Sequence, residues 1–227
     1  MGKGRIVMAN GDNTMSTPLT FQSDSAFGEP TWEIAHLFPA RGAWEEEDYL
    51  ALHTNRLVEL SNGDLEMLPM PTEAHQFMAL FLYRMVFDFV APRGLGAVLA
   101  APLRVRLGEG KFREPDVVFM LEKNKHRRKG KYWDRADLVM EVVSDDDPDR
   151  DHQVKRHEYA KAGIPEYWIV DPKDKTIIVL TLHNSATAQA ATAYTITGEY
   201  GPGQAAVSAL LPGLSVDVDS VFSQSDH

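Results

Sequence analysis

Two carboxylates stand in runs of sequence that would ordinarily exclude them. Asp116 opens the apolar run PDVVFML at 115–121, and Glu141 sits between Met140 and Val142 in DLVMEVV at 137–143. An ionised carboxylate is costly to bury unless a positive group meets it. Two carboxylates on successive strands can share a hard divalent cation. The stretch between them is long enough for a hairpin, and an antiparallel hairpin would set Asp116 and Glu141 at one end of a sheet. The structural alternative is that Asp116 starts its strand and bonds to a turn, while Glu141 faces solvent on an alternating strand.

Lys155 adds a cation. It lies in the helical stretch 151–162, DHQVKRHEYAKA, for which Asp151 is the expected N-cap and Gly163 the stop. Tyr159 and Ala162 continue roughly the same face, so this face is expected to turn partly inward. A packed lysine beside two carboxylates can neutralise charge developing on phosphate oxygens. The alternative is a solvated Asp151–Lys155 pair of little energetic weight.

The elements that must position these residues follow from pattern. A helix is expected from Trp44 to about Leu52, and RLVELSNGDLEML reads as a hairpin turning on Asn62-Gly63, both of which tolerate positive φ. Residues 72–90 form the strongest helix; their apolar positions cover nearly the whole circumference, which predicts a helix buried in the core. Strands are expected at 97–107, 115–121 and 137–143, then at 166–171 after the Lys155 helix, and later at 176–182, 193–197 and 214–218. The order helix–strand–strand–strand–helix–strand predicts an α/β fold, a mixed sheet flanked by helices, with an N-terminal hairpin extension. Residues 1–28 read as a flexible tail, 29–222 as a single domain and 223–227 as a loose tail.

This order, with PD at a strand start and a glutamate on the next strand, resembles the PD-(D/E)xK nuclease superfamily. Pro115-Asp116, the stretch Glu141 to Ser144, Asp151-x-x-x-Lys155-x-x-x-Tyr159 and EYWIVDP at 166–172 resemble the bacterial Uma family of restriction endonucleases. The hairpin Gly63 to Glu66 and His75, in the first turn of the long helix, share the likeness, which spans roughly residues 45–182. The resemblance implies a restriction-endonuclease-like core and a Mg2+-dependent phosphodiester hydrolase, with Mn2+ able to substitute. Asp116, Glu141 and the Val142 carbonyl would hold the metal, and Lys155 would orient water or stabilise the transition state. The superfamily usually carries its lysine two residues after the acid; here that position is Val143, so Lys155 must reach in from the helix. His75 would position substrate or water and Glu66 would add a ligand. The alternatives are a helix-start histidine satisfied by a carbonyl and an exposed strand glutamate.

Composition narrows the classes. The 227 residues carry 23 Lys and Arg against 33 Asp and Glu, a net charge of −10, which argues against coating nucleic acid by bulk electrostatics. Charge is uneven, however. Lys123, Lys125, Arg127, Arg128, Lys129 and Lys131 crowd one loop and are candidates to grip DNA phosphates across the cleft, unless they are merely solvated. Asp145, Asp146 and Asp147 form an acidic run beside the site that would repel a DNA backbone unless screened. Absence of cysteine excludes disulfides and thiolate sites, and no apolar run is long enough to span a membrane. The N-terminus lacks the apolar core of a secretory signal, so a cytoplasmic location is expected. His152 and His157 are wrongly spaced for a zinc pair on one helix face, and Tyr159 and Trp168 are expected to pack in the core. DNA is the expected substrate, and a homodimer is expected because cutting both strands takes two sites. Two other functions stay open: a non-catalytic binding or assembly module that retains the fold, and a hydrolase of small phosphoesters.

Overall fold

The structure, a computed structural model, describes residues 42–54, 56–144, 147–183 and 193–226. The expected N-terminal tail, the start of the expected domain, Asp145, Asp146 and His227 lie outside the described residues.

Three elements open the described residues. Helix α1 (Glu46–Ala51) leads into strands β1 (Val58–Ser61) and β2 (Asp64–Met67). Their turn is the expected one, with Asn62 at φ 52° and Gly63 at φ 84°. Glycine is needed at 63 twice over, because a Cβ there would also stand 2.5 Å from the Gly42 carbonyl oxygen. Helix α2 (Glu73–Val90) is capped by Thr72, whose hydroxyl accepts from the His75 backbone N–H at 3.2 Å.

The expected strand at 97–107 is in fact two. β3 (Gly96–Ala100) and β4 (Arg104–Gly108) are separated by Pro102, which has no N–H for a ladder, and they enter different sheets. β5 (Lys111–Arg113), β6 (Val117–Leu121), β7 (Tyr132–Asp134), β8 (Leu138–Val142), β9 (Glu166–Asp171), β10 (Thr176–His183) and β11 (Ala193–Tyr200) follow. A π-helical turn (Arg150–Lys155) and helix α3 (Arg156–Ala162) lie between β8 and β9, and Gly163 at φ 78° closes α3 as expected. The small hairpin β12 (Ala205–Val207) and β13 (Ser215–Asp217) precedes α4 (Val218–Phe222). Ser223–Asp226, expected as a loose tail, form a 3-10 turn packed against α2.

The central sheet has the order β11-β10-β9-β8-β6-β3. It is mixed, because β8 and β9 run parallel across the α3 crossover while the other neighbours are antiparallel. Period-two alternation sends Leu138, Met140 and Val142 to the α2 face and Val139, Glu141 and Val143 to the α3 face. Leu82, Val86 and Val90 of α2 pack with Phe119, Met140 and Trp168; each large side chain so buried contributes about 1.5–3 kcal/mol. On the other face, Tyr159 and Ile164 pack with Val118, Tyr167 and Ile169. A second sheet, β2-β1-β5-β4-β7, is built around the N-terminal hairpin.

Helix α2 departs from the expected all-round burial. Its inner face carries Met78, Ala79, Leu82, Val86 and Val90, whereas Phe77, Leu80 and Phe87 are exposed. Among the described residues, no helix is long and apolar enough to cross a membrane.

Candidate active site

The β6–β8 register pairs Val117 with Met140, so Asp116 comes to lie beside the end of β8 that bears Glu141. The Val142 N–H donates to Asp116 Oδ2 at 2.8 Å, which fixes that carboxylate on the strand end. His75 reaches the same point from the first turn of α2. Its Nε2 is 3.2 Å from Asp116 Oδ2 and 3.1 Å from the Val142 carbonyl oxygen. Burial of the ring works against its charged form, but the bond to Asp116 and the negative groups around it win, and the His75 pKa is raised. The ring Nδ1 is buried without a hydrogen-bond partner, so Nε2 carries the proton that bridges Asp116 and Val142.

Lys155 enters from the opposite face of the sheet. Its Nζ is 3.0 Å from Glu141 Oε2 and 2.8 Å from Asp151 Oδ1. The other Glu141 oxygen accepts from the Tyr159 hydroxyl. Lys155 therefore points inward as expected, and the Asp151–Lys155 pair is buried with side chains 6% and 8% exposed rather than solvated. Asp151 is not the expected N-cap: the helical turn begins before it, and its carboxylate is spent on Lys155. Asp151 and Lys155, four residues apart, share one face of the helical turn, as i,i+4 residues do, and that face is turned to the sheet.

Two carboxylates, Glu141 and Asp151, thus meet one ammonium, and the charge of Asp116 acts on it from farther off. Burial raises the Glu141 pKa; Lys155 opposes this, while Asp116 and Asp151 add to it. For Lys155, burial disfavours the charged form, but Glu141 and Asp151 outweigh it and raise the pKa.

The remaining expected site residues fall elsewhere. Glu66 does not join the Asp116 and Glu141 oxygens. Its Oε2 accepts from Arg113 at 2.6 Å and Arg150 at 2.7 Å. Arg113 also donates to Glu158 at 2.7 and 2.9 Å and to Glu59 at 2.6 Å. Glu59 is fully buried on β1, bonds Arg150 as well, and accepts the Glu114 N–H at 2.9 Å. Sequence reasoning missed Glu59, although it carries the same signal as Glu141, a carboxylate between Val58 and Leu60. Its charge is among those that hold Lys155 protonated, so the hairpin sheet contributes to the electrostatics of the site.

The basic loop is not across the cleft. Lys123, Lys125, Arg127, Arg128, Lys129 and Lys131 follow the C-terminal end of β6, whereas Asp116 precedes its N-terminal end. Five strand residues separate them, roughly 17 Å. The antiparallel pairing that joins Asp116 to Glu141 necessarily sends the connecting loop to the far end. There Glu122 pairs with Lys125 at 2.9 Å and Arg128 at 3.6 Å, and the Arg128 guanidinium lies over Trp133. His157 is exposed and His152 contacts Asp171 at 3.1 Å, so they form no pair. Trp168 is buried as expected, its indole N–H on Glu166.

A family model described as "Putative restriction endonuclease" (Uma2) matches residues 46–219, most of the chain. The chain belongs to the Uma2 family. A solved structure described as "a putative nuclease belonging to DUF820", from Anabaena variabilis ATCC 29413, superposes with a TM-score of 0.62 at 18% identity. The match covers 80% of this chain and 99% of that one, and it shows that the two share a fold. No curated protein matches the chain. The Uma2 match takes in every residue of the buried cluster, from Glu59 to Tyr159.

The donor set suits a hard cation. Asp116, Glu141 and the Val142 carbonyl are oxygen donors at one strand end, and the excess of carboxylate over ammonium favours positive charge there. Among the described residues, no three His, Asp or Glu side chains form a ready cage.

Proposed function

We propose that this Uma2 protein is a Mg2+-dependent nuclease that hydrolyses phosphodiester bonds in DNA. The observation that carries the reading is the buried Lys155–Glu141 contact of 3.0 Å beside the Asp116–Val142 strand end. Asp116, Glu141 and the Val142 carbonyl would hold the ion. When bound, it supplies Lewis acidity toward a phosphoryl oxygen and lowers the pKa of water.

The chain's own groups have separate tasks. The Val142 N–H orients Asp116. Tyr159 and Lys155 each hold one oxygen of Glu141, which must lose its proton before it can ligate. Lys155, fixed between Glu141 and Asp151, offers a permanent positive charge to a phosphate oxygen in a site that water screens poorly. His75 must yield Asp116 and the Val142 carbonyl to the ion, which leaves an imidazole at the margin of the site. The test is cleavage of varied DNA substrates during titration with Mg2+ or Mn2+. Activity without metal, or activity surviving Asp116→Ala and Glu141→Ala, would refute the reading.

One observation favours the non-catalytic alternative: His75 Nε2 already bridges the two oxygens expected to bind metal. Tight DNA or protein binding without metal-dependent turnover, unchanged by Lys155→Ala, would decide for it.

A further inference from the structure

We propose that His152, oriented by Asp171, is the group that protonates the leaving oxygen of the phosphodiester, an inference that rests on the nuclease reading. The pair stands outside the carboxylate cluster but at the same end of the central sheet. In the parallel β8–β9 register Glu141 lies beside Ile169 and Val142 beside Val170, and the Val143 N–H donates to the Val170 carbonyl at 2.8 Å. Asp171, the last residue of β9, therefore follows at the strand end that carries the Val142 carbonyl. Alternation sends its side chain to the α3 face, the face of Ile169 and Glu141. One strand across and two residues along, its Cα is about 8 Å from that of Glu141. That interval has room for a phosphoryl group.

His152 comes to Asp171 from the π turn. It follows Asp151, whose carboxylate holds Lys155 and whose carbonyl accepts from the Tyr167 hydroxyl at 3.0 Å. Asp171 is anchored in turn: its Oδ1 accepts the Lys173 and Asp174 N–H groups at 2.9 and 3.2 Å, and its Oδ2 is 3.1 Å from His152 Nε2. A carboxylate only accepts, so Nε2 keeps its proton and the ring orientation is set. Nδ1 is then the nitrogen left for chemistry. It makes no hydrogen bond to a described residue, and the His152 side chain is 31% exposed against 10% for Asp171. The arrangement is a packed carboxylate behind an open imidazole.

The other proton carriers at this end are committed. His75 Nε2 is on Asp116 and the Val142 carbonyl, and the Tyr159 hydroxyl is on Glu141. Burial disfavours the Lys155 charge, but Glu141 and Asp151 prevail and raise its pKa, so it parts with a proton poorly. A departing alkoxide is strongly basic and needs a proton. In the step, water adds to phosphorus, the bond from phosphorus to the bridging oxygen breaks, and the Nδ1 proton of the imidazolium passes to that oxygen. The proton of the attacking water goes to solvent, and solvent later restores the proton on Nδ1. Asp171 is a positioning residue that keeps Nδ1 turned to the substrate and supports the imidazolium.

His152→Gln tests the step, because its amide can still donate to Asp171 but has no proton to give. On ordinary DNA kcat should fall about a hundredfold or more with KM little changed. On DNA carrying sulfur in place of the leaving oxygen, whose thiolate departs without a proton, the variant should cut at close to the parent's rate. Asp171→Asn should show the same split between the two substrates, and it decides the matter should His152→Gln fail to fold. Nitrogen NMR of the metal-free chain, labelled at histidine, gives a readout without catalysis. In alkaline buffer the His152 ring should carry its proton on Nε2, and Asp171→Asn should move it to Nδ1. An equal loss on both substrates, no loss on ordinary DNA, or an Nδ1–H ring in the parent would overturn the proposal and leave the nuclease reading standing. A parent that cuts neither substrate at any Mg2+ concentration would refute the nuclease reading, and the proposal with it.

Discussion

The Nζ of Lys155 lies 3.0 Å from Glu141 Oε2, with the two side chains only 8% and 2% exposed. The pair joins a helix to the central strand of the sheet, and Asp151 takes the ammonium from the other side at 2.8 Å. Lys155→Met removes the charge but keeps much of the stem. It leaves two buried carboxylates unmatched, a change that typically costs about 3–5 kcal/mol. Protonation of Glu141 offsets part of this, so urea denaturation should show a loss of about 2–4 kcal/mol near pH 7, together with loss of DNA cleavage by about a hundredfold or more. An unchanged denaturation midpoint would mean that the pair is not buried in solution.

Glu141 links metal binding to pH. Burial raises its pKa above the ordinary carboxylate value, while only the carboxylate can ligate, so binding should displace a proton. Affinity for Mn2+ should therefore climb with pH through the neutral range, by up to tenfold per pH unit, and level off once Glu141 is ionised. Calorimetry in buffers of different ionisation enthalpy should find close to one proton released at pH 7, and Glu141→Gln should abolish the release. Affinity that does not vary between pH 6 and 8 would contradict this.

His75 and the ion contend for the same oxygens, because Nε2 is within 3.2 Å of Asp116 Oδ2 and 3.1 Å of the Val142 carbonyl oxygen. His75→Ala should bind Mn2+ more tightly than the parent. Its metal-free form should be less stable by about 1.5–3 kcal/mol, the usual weight of a charge-assisted hydrogen bond. Weaker Mn2+ binding would instead make His75 a ligand.

Glu114 gives a pH dependence away from the metal. It is buried, one of its oxygens lacks a partner among the described residues, and its ion pair with Arg104 is a long one of 3.5 Å. Burial raises its pKa to about 7; Arg104 opposes this and Glu59 adds to it. Between the unfolded value near 4.5 and about 7, the folded state binds more protons than the unfolded one, so this group makes stability fall as pH rises. The full penalty is on the order of 3 kcal/mol above pH 7. Glu114→Gln should remove it, flattening the profile and matching or exceeding the parent's stability at pH 8. A larger loss at pH 8 than at pH 5 would contradict the sign.

Much of the site was legible because burying charge leaves a mark in the sequence. Glu141 and Lys155 were found from a carboxylate inside an apolar strand and a lysine on a packed helix face. Glu59 bears the same mark but was read as part of a hairpin, since its cations, Arg113 and Arg150, lie far along the chain. The π turn was not legible: widening one helical turn leaves the residue pattern unchanged, and only the backbone shows it. The second sheet escaped for a related reason. β1 pairs with β5, and each is too short to show a period before its distant partner is known. The basic loop was misplaced by inference rather than by missing signal, because the hairpin invoked to join Asp116 to Glu141 already required it at the far end.

The most direct test of the central claim is DNA cleavage as a function of Mg2+ concentration by the parent protein and by Glu141→Gln. The parent should show no turnover in chelator and saturable cleavage as Mg2+ is added, while Glu141→Gln stays folded and inactive at every concentration. Cleavage by Glu141→Gln at the parent's rate, or a folded parent that binds Mn2+ yet cuts no DNA, would contradict the account.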